Sequence, residues 1–129
     1  MYYYKSDISK SAEISAVAKV IRKGHGDPKV LINNAGINIC RPILSETEEQ
    51  IRRVFEVNTI SHFLIVKEFL PAMVKANHGY IVTIASMASY IVHAAAVNYR
   101  CSKTSASAFH KGLAQEIKSW YNAPKVRTT

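Results

Sequence analysis

The sequence predicts an α/β fold, a parallel sheet with flanking helices, in a single domain covering residues 1–129. Three observations predict it. Two compact runs rich in β-branched residues, Lys29–Asn33 (KVLIN) and Tyr80–Ala85 (YIVTIA), have the composition of buried strands. Longer stretches with helical spacing of apolar residues separate them. Strand and helix signals alternate along the whole chain, which calls for right-handed βαβ crossovers. In sheets of this kind, ligands bind at the carboxyl ends of the strands.

The elements follow in order. Met1–Lys5 (MYYYK) reads as the tail of a strand, and Asp7-Ile8 as a turn. Ser9 or Ser11 can cap a helix with apolar positions Ile14, Val17, Ala18 and Ile21. Gly24 and Gly26 stop that helix, and Pro28 prevents its resumption. The strand Lys29–Asn33 runs into a tight turn, Asn34-Ala35-Gly36. Ser45 with Glu48 three residues on has the form of a capping box, opening a helix that carries Ile51, Val54, Phe55 and Val57. Asn58-Thr59 interrupts good helix formers. The pattern resumes through Ile60, Phe63, Leu64, Val66, Phe69, Leu70 and Met73, giving one long helix kinked near Asn58 or Pro71 and ending at Asn77-His78-Gly79. After the strand Tyr80–Ala85 a loop reaches about Ala95. A third helix covers Val97–Trp120, Pro124 closes it, and Lys125–Thr129 (KVRTT) reads as the start of another strand.

Composition narrows the function classes. Hydrophobic residues make up 48% of the chain, enough for a packed core. The formal net charge of +8 is spread over single basic residues, so the chain has no basic block or aromatic-basic ribbon and no nucleic-acid partner is expected. Cys40 and Cys101 are the only cysteines, which fits a reducing, cytoplasmic setting. MYYYKSDISKS lacks the layout of a signal peptide. Gly79 to Tyr99 is free of Asp, Glu, Lys and Arg, but Thr83, Ser86, Ser89, His93 and Asn98 would be expensive in lipid. The five histidines show no metal-ligand spacing with Cys, Asp or Glu, so no metal is expected.

Chemistry concentrates in Ile84–Lys103 (IASMASYIVHAAAVNYRCSK). On a helix, Tyr99 and Lys103 share one face, about 5–6 Å apart at Cβ. An ammonium beside a phenol favours the phenolate, and a tyrosine tuned down from about 10 serves as a general acid or base. Tyrosine and lysine at this spacing also recur on many helices with no chemical role. Here Asp7, Asn34–Gly36 and Ser86 all fall at predicted carboxyl ends of strands, with Tyr99 and Lys103 at the start of the following helix, so separate motifs converge on one sheet edge.

Leu31–Gly36 (LINNAG), Asn58, Ser86, Tyr99 and Lys103 together resemble the short-chain dehydrogenases/reductases, over nearly the whole chain and in that family's order. The resemblance implies a Rossmann-like sheet and an NAD- or NADP-dependent oxidoreductase that interconverts an alcohol and a ketone or aldehyde by hydride transfer. It implies Tyr99 as the acid/base and one of the cofactor-binding residues, Ser86 as the group that steadies the substrate oxygen, and Lys103 as the residue that lowers the pKa of Tyr99 and binds the nicotinamide ribose. Asn58 would hold a water as part of a proton relay, through a backbone carbonyl freed by the helix break. Asp7 and Ile8 would line the adenine pocket, and Asn34, Ala35 and Gly36 would lie along the cofactor. It further implies a homo-oligomer through the helices 46–76 and 97–120. More narrowly, Ser86-Met87-Ala88-Ser89, Ala108–Lys118 and Tyr121–Thr129 resemble fungal members of the retinol- and hydroxysteroid-dehydrogenase-like branch. That likeness implies a lipophilic alcohol or carbonyl substrate and, in a longer form, membrane association.

The sequence also departs from the family. No glycine-rich turn of the form G-x-x-x-G-x-G, the seat for a pyrophosphate, occurs. The strand whose end selects NAD or NADP is lacking, and so is the Pro-Gly turn after the last strand. The resemblance therefore implies the central and active-site portion of a longer enzyme, with an incomplete sheet. It also leaves a second expectation standing: a catalytically silent remnant that acts only by association with a full-length relative.

Overall fold

The computed structural model describes all of residues 1–129. The elements are α1 (Ser11–His25), β1 (Val30–Asn33), α2 (Glu48–Phe55), α3 (Ser61–Ala76), β2 (Gly79–Thr83), α4 (Val97–Ser119) and β3 (Val126–Thr128). Single helical turns cover Ile43–Ser45 and Met87–Ser89. The sheet is parallel, in the order β1-β2-β3, with Asn33 level with Thr83 and Ile81 level with Thr128. All three strands point their carboxyl ends the same way, as the alternation predicts.

One face of this sheet carries the core. Ile81 and Val126 pack with Val66, Leu70 and Met73 of α3 and with Leu113 and Ile117 of α4, and Leu31 joins them from β1. A strand turns successive side chains to opposite faces, so Val30, Ile32 and Tyr80 lie on the other face and are exposed. Close packing under β2 fixes its first residue: a Cβ at Gly79 would stand 2.6 Å from Met73 Cγ. α1 packs on α3, where Arg22 pairs with Glu68 at 2.9 Å and Ser15 donates to the same carboxylate.

Four local expectations are corrected. Met1–Lys5 forms no strand. It finds no neighbour to complete a ladder, and it is held instead by Tyr4 against His25 and by Tyr2 stacked on the same ring. Neither Ser9 nor Ser11 caps α1. The Ncap is Lys10 without a side-chain bond, and the preceding turn is closed by Asp7, whose Oδ1 accepts from Ser9 N and Ser9 Oγ. The capping box of α2 belongs to Thr47 and Gln50, because Ser45 is taken up in the turn before it. Pro71 leaves α3 unbroken. It lies on the exposed side, where water can serve the carbonyl that a missing N–H leaves free.

The expected interruption at Asn58-Thr59 is a π-helical turn, Glu56–Ile60, in which Ser61 N–H reaches back five residues to Glu56 O. Val57, Thr59 and Ile60 are β-branched and weaken the preference for a regular helix here. The turn is buried at Val57, Asn58 and Thr59, against α4.

Candidate active site

β2 ends at Thr83, and the chain then passes through Ile84 to Ser86. Ser86 Oγ accepts the backbone N–H of Ala88 at 3.1 Å, which fixes the side chain and leaves its own proton free to donate. Arg100 Nε donates to Ala88 O at 3.0 Å and ties this turn to the first turn of α4. Tyr99 and Lys103 sit one turn apart at the same end of α4. Tyr99 is half-buried. The Lys103 side chain runs inward; the residue is 4% exposed, and Nζ donates to Ile84 O at 2.9 Å. Burial lowers the lysine's pKa below its ordinary value. No hydrogen bond within the chain joins the Tyr99 hydroxyl to Ser86 or Lys103, whose own bonds run to Ala88 N and Ile84 O.

Asn58 is wholly buried, and both atoms of its carboxamide are hydrogen-bonded. Oδ1 accepts Ile37 N–H at 2.8 Å, while Nδ2 donates to Ile37 O at 2.8 Å and to Ser102 Oγ at 3.0 Å. Ser102 in turn donates to Tyr99 O at 2.7 Å, and Thr59 Oγ1 donates to Ser102 O. The side chain of Asn58 is thus a brace between the loop after β1 and α4. Both side-chain donors are taken up in this brace.

Gly36 brings this cluster up to a groove. A Cβ there would lie 3.3 Å from both Asn58 Oδ1 and Lys103 Nζ. Any side chain would fill the approach to the ammonium. The groove, about 860 Å³, is lined by Asp7, Ile8, Asn34, Ala35 and Gly36 together with Lys5, Glu13, Ile37 and Arg53. Five of the seven residues expected to bind a cofactor therefore line one concave surface; Tyr99 and Lys103 do not line it, and Lys103 Nζ lies beside Gly36 at its edge. Asp7 titrates near about 2, held down first by Ser9 and then by Arg53, whose Nη1 stands 3.2 Å from Oδ1. No group of three or more His, Cys, Asp or Glu side chains comes together to hold a metal ion, and no helix is long and apolar enough to cross a membrane.

The arrangement matches known proteins at the level of the whole chain. Residues 1–126 match the family model described as short chain dehydrogenase. The chain belongs to the short-chain dehydrogenase family. Dehydrogenase RED3 of Cochliobolus heterostrophus is 50% identical over 129 residues, all of this chain and 66% of that protein. Dehydrogenase RED2 of the same fungus is 48% identical over 129 residues, 49% of its length. Estradiol 17-beta-dehydrogenase 11 of Macaca fascicularis is 40% identical over 117 residues, 91% of this chain and 39% of that one. A metagenomic short-chain oxidoreductase solved in complex with NADP superposes with a TM-score of 0.90 at 28% identity, covering 98% of this chain and 55% of that one. The chain thus spans between about two fifths and two thirds of these relatives, and the shared fold is the Rossmann type.

Sequence reasoning missed Ile37, Ile84 and Ser102. The first two act through backbone groups, which leave no mark on residue type. Ser102 stands between Tyr99 and Lys103, where a serine bonding back to a carbonyl three residues earlier could have been read as a brace.

Proposed function

We propose that these residues form the proton-transfer and cofactor-binding part of an NAD(P)-dependent oxidoreductase that interconverts an alcohol and a ketone or aldehyde. The observation that carries this is the buried Lys103 ammonium, pinned to Ile84 O, packed beside Gly36 of the groove where a side chain would meet it, and one helical turn from Tyr99. The groove offers contacts to part of a dinucleotide; the glycine-rich turn that would seat its pyrophosphate does not occur in this sequence. Asp7 and Ile8 would hold the adenine end, Asn34, Ala35 and Gly36 would follow the chain of the cofactor, and Lys103 would donate to the nicotinamide ribose. The bound nicotinamide supplies or takes the hydride.

Tyr99 passes the proton between its hydroxyl and the substrate oxygen. Ser86, its oxygen held by Ala88 N–H, donates its proton to that same oxygen and steadies the charge that develops on it. Lys103 presents a fixed positive charge to the phenol from a dry side, where its effect is stronger than in water. Asn58 sets the distance between the Gly36 loop and α4, while its main-chain carbonyl in the π-turn is the candidate holder of a relay water. The names of the relatives, dehydrogenases among them one for estradiol, support a lipophilic alcohol or carbonyl substrate. The NADP complex of the structural neighbour supports NADP or NAD as the cofactor.

The test is nicotinamide-linked oxidation of a panel of lipophilic secondary alcohols, followed by absorbance, in the longest natural polypeptide that carries this sequence. Cofactor-dependent turnover of at least one class is expected. Tight nicotinamide binding without turnover of any alcohol or carbonyl would sink the assignment. A second reading rests on a separate observation: an apolar cavity of about 690 Å³ between α3 and α4, lined by Phe63, Val66, Leu70, Phe109, Leu113 and Tyr121. It supports association through the helices 46–76 and 97–120, as a homo-oligomer or with a longer relative. Sedimentation of the chain with Phe63→Glu checks it; a monomer in both forms speaks against it.

A further inference from the structure

Three polar side chains beneath the site have no partner for their polar atoms. Both carboxamide atoms of Asn33, the Thr83 hydroxyl and both ring nitrogens of His62 are buried and unbonded within the chain. Asn33 is 3% exposed and His62 1%. Such groups are costly unless something hydrogen-bonds them.

The topology brings the three together. Asn33 and Thr83 are level neighbours on adjacent strands, about 4.8 Å apart. Each lies two residues beyond a core residue, Leu31 and Ile81, and so on the same sheet face as the core. His62 lies one turn before Val66 on the stripe of α3 that covers this face. α3 runs back toward the start of β2, where Met73 packs on Gly79. Eleven residues of helix from Met73 to His62 rise about 16 Å. Four residues of strand from Gly79 to Thr83 rise about 13 Å. His62 therefore stands level with the carboxyl ends of β1 and β2, over Asn33 and Thr83. Phe109 of α4 walls the ring at 6.1 Å, and Ala106, wholly buried, adds no polar atom.

We propose that Asn33, Thr83 and His62 form an internal water site, holding one or two ordered waters between the sheet ends and α3. A buried water makes about three hydrogen bonds and needs two to four polar partners. The five unpartnered atoms supply that number for one or two waters. The chemistry of each fits. Burial, with the charge of Lys103 nearby, lowers the pKa of His62 to about 4, so the ring is neutral near pH 7 and offers one donor and one acceptor. Asn33 offers two donors and an acceptor, and Thr83 one of each. The waters would tie the ends of the two strands, from which the Asn34–Gly36 and Ser86 segments spring, to the first turn of α3.

The test is a crystal structure that resolves ordered water, paired with NMR transfer from water to the Asn33 side-chain amide. The expected result is at least one water within hydrogen-bond distance of a His62 ring nitrogen and of Asn33 or Thr83, with a water cross-peak at Asn33 that weakens severalfold in His62→Leu. Thr83→Val, nearly unchanged in volume, is the second variant and keeps the test valid if His62→Leu does not fold. A dry chamber, a direct His62–Asn33 hydrogen bond, or cross-peaks unchanged in the folded variants overturns the proposal. Hydration is independent of the redox assignment: a wet chamber in a protein without turnover removes the proposed function alone, and a dry one in an active enzyme removes only the water site.

Discussion

Replacing Asn58 by Ala isolates the brace that holds the site together. The substitution removes three hydrogen bonds, two with the backbone of Ile37 and one with Ser102. Each neutral bond contributes about 1 kcal/mol net. Ile37 is half-buried and regains some water, while Ser102 is wholly buried but keeps its bond to Tyr99 O. The expected loss is therefore about 2–3 kcal/mol. An unfolding entropy of about 2.1 cal/mol/K per residue, over this length, is about 0.27 kcal/mol/K, so the midpoint should fall by about 7–11 °C. Thermal and urea unfolding followed by circular dichroism measure it, with an unchanged urea slope showing that the unfolded state is not at issue. Asn58→Asp should be at least as damaging, because it loses both donors and buries a charge. A loss under about 0.5 kcal/mol for Asn58→Ala would refute the bracing role, since surface substitutions commonly do no more.

Two further predictions concern stability. Gly79→Ala should destabilise by about 1–3 kcal/mol in urea unfolding, because the new methyl meets Met73 Cγ, Sδ and Cβ at 2.6 to 2.8 Å, and the same substitution should cost less when made in a Met73→Ala background. His62 titrates at about 4 in the fold, lowered first by burial and then by Lys103, against about 6.5 when unfolded. The unfolded chain binds the proton that the fold excludes, so this stability is complete above pH 6.5 and is lost as pH falls through 4, amounting to on the order of 2–3 kcal/mol. The difference in unfolding free energy between the parent and His62→Leu should therefore change across that window, and a constant difference would contradict it.

The sequence was legible where residue type and spacing carry the information. The β-branched runs became β1 and β2, the four-residue step placed Tyr99 and Lys103 on one face of α4, and the break at Asn58-Thr59 became a π-turn. It misled where a signal needs a tertiary partner to be realised. MYYYK has strand composition but no ladder, and Ser45 with Glu48 has the form of a box that Thr47 and Gln50 occupy. It was silent where the acting group is a backbone atom, as at Ile37 and Ile84, and where burial comes only from topology. Nothing in the residue order says that His62, Asn33 and Thr83 stand at one level.

The central claim is that Tyr99 carries the proton while its neighbours hold the cofactor and the substrate oxygen. Tyr99→Phe removes only the hydroxyl. In the longest natural polypeptide carrying this sequence, kcat for alcohol oxidation and the dissociation constant of NAD(P)H by fluorescence titration should be measured side by side. A missing proton carrier predicts a fall in kcat of at least about 10²-fold, with nicotinamide affinity changed less than about threefold, or about 0.7 kcal/mol. Turnover within a few fold of the parent would contradict the account.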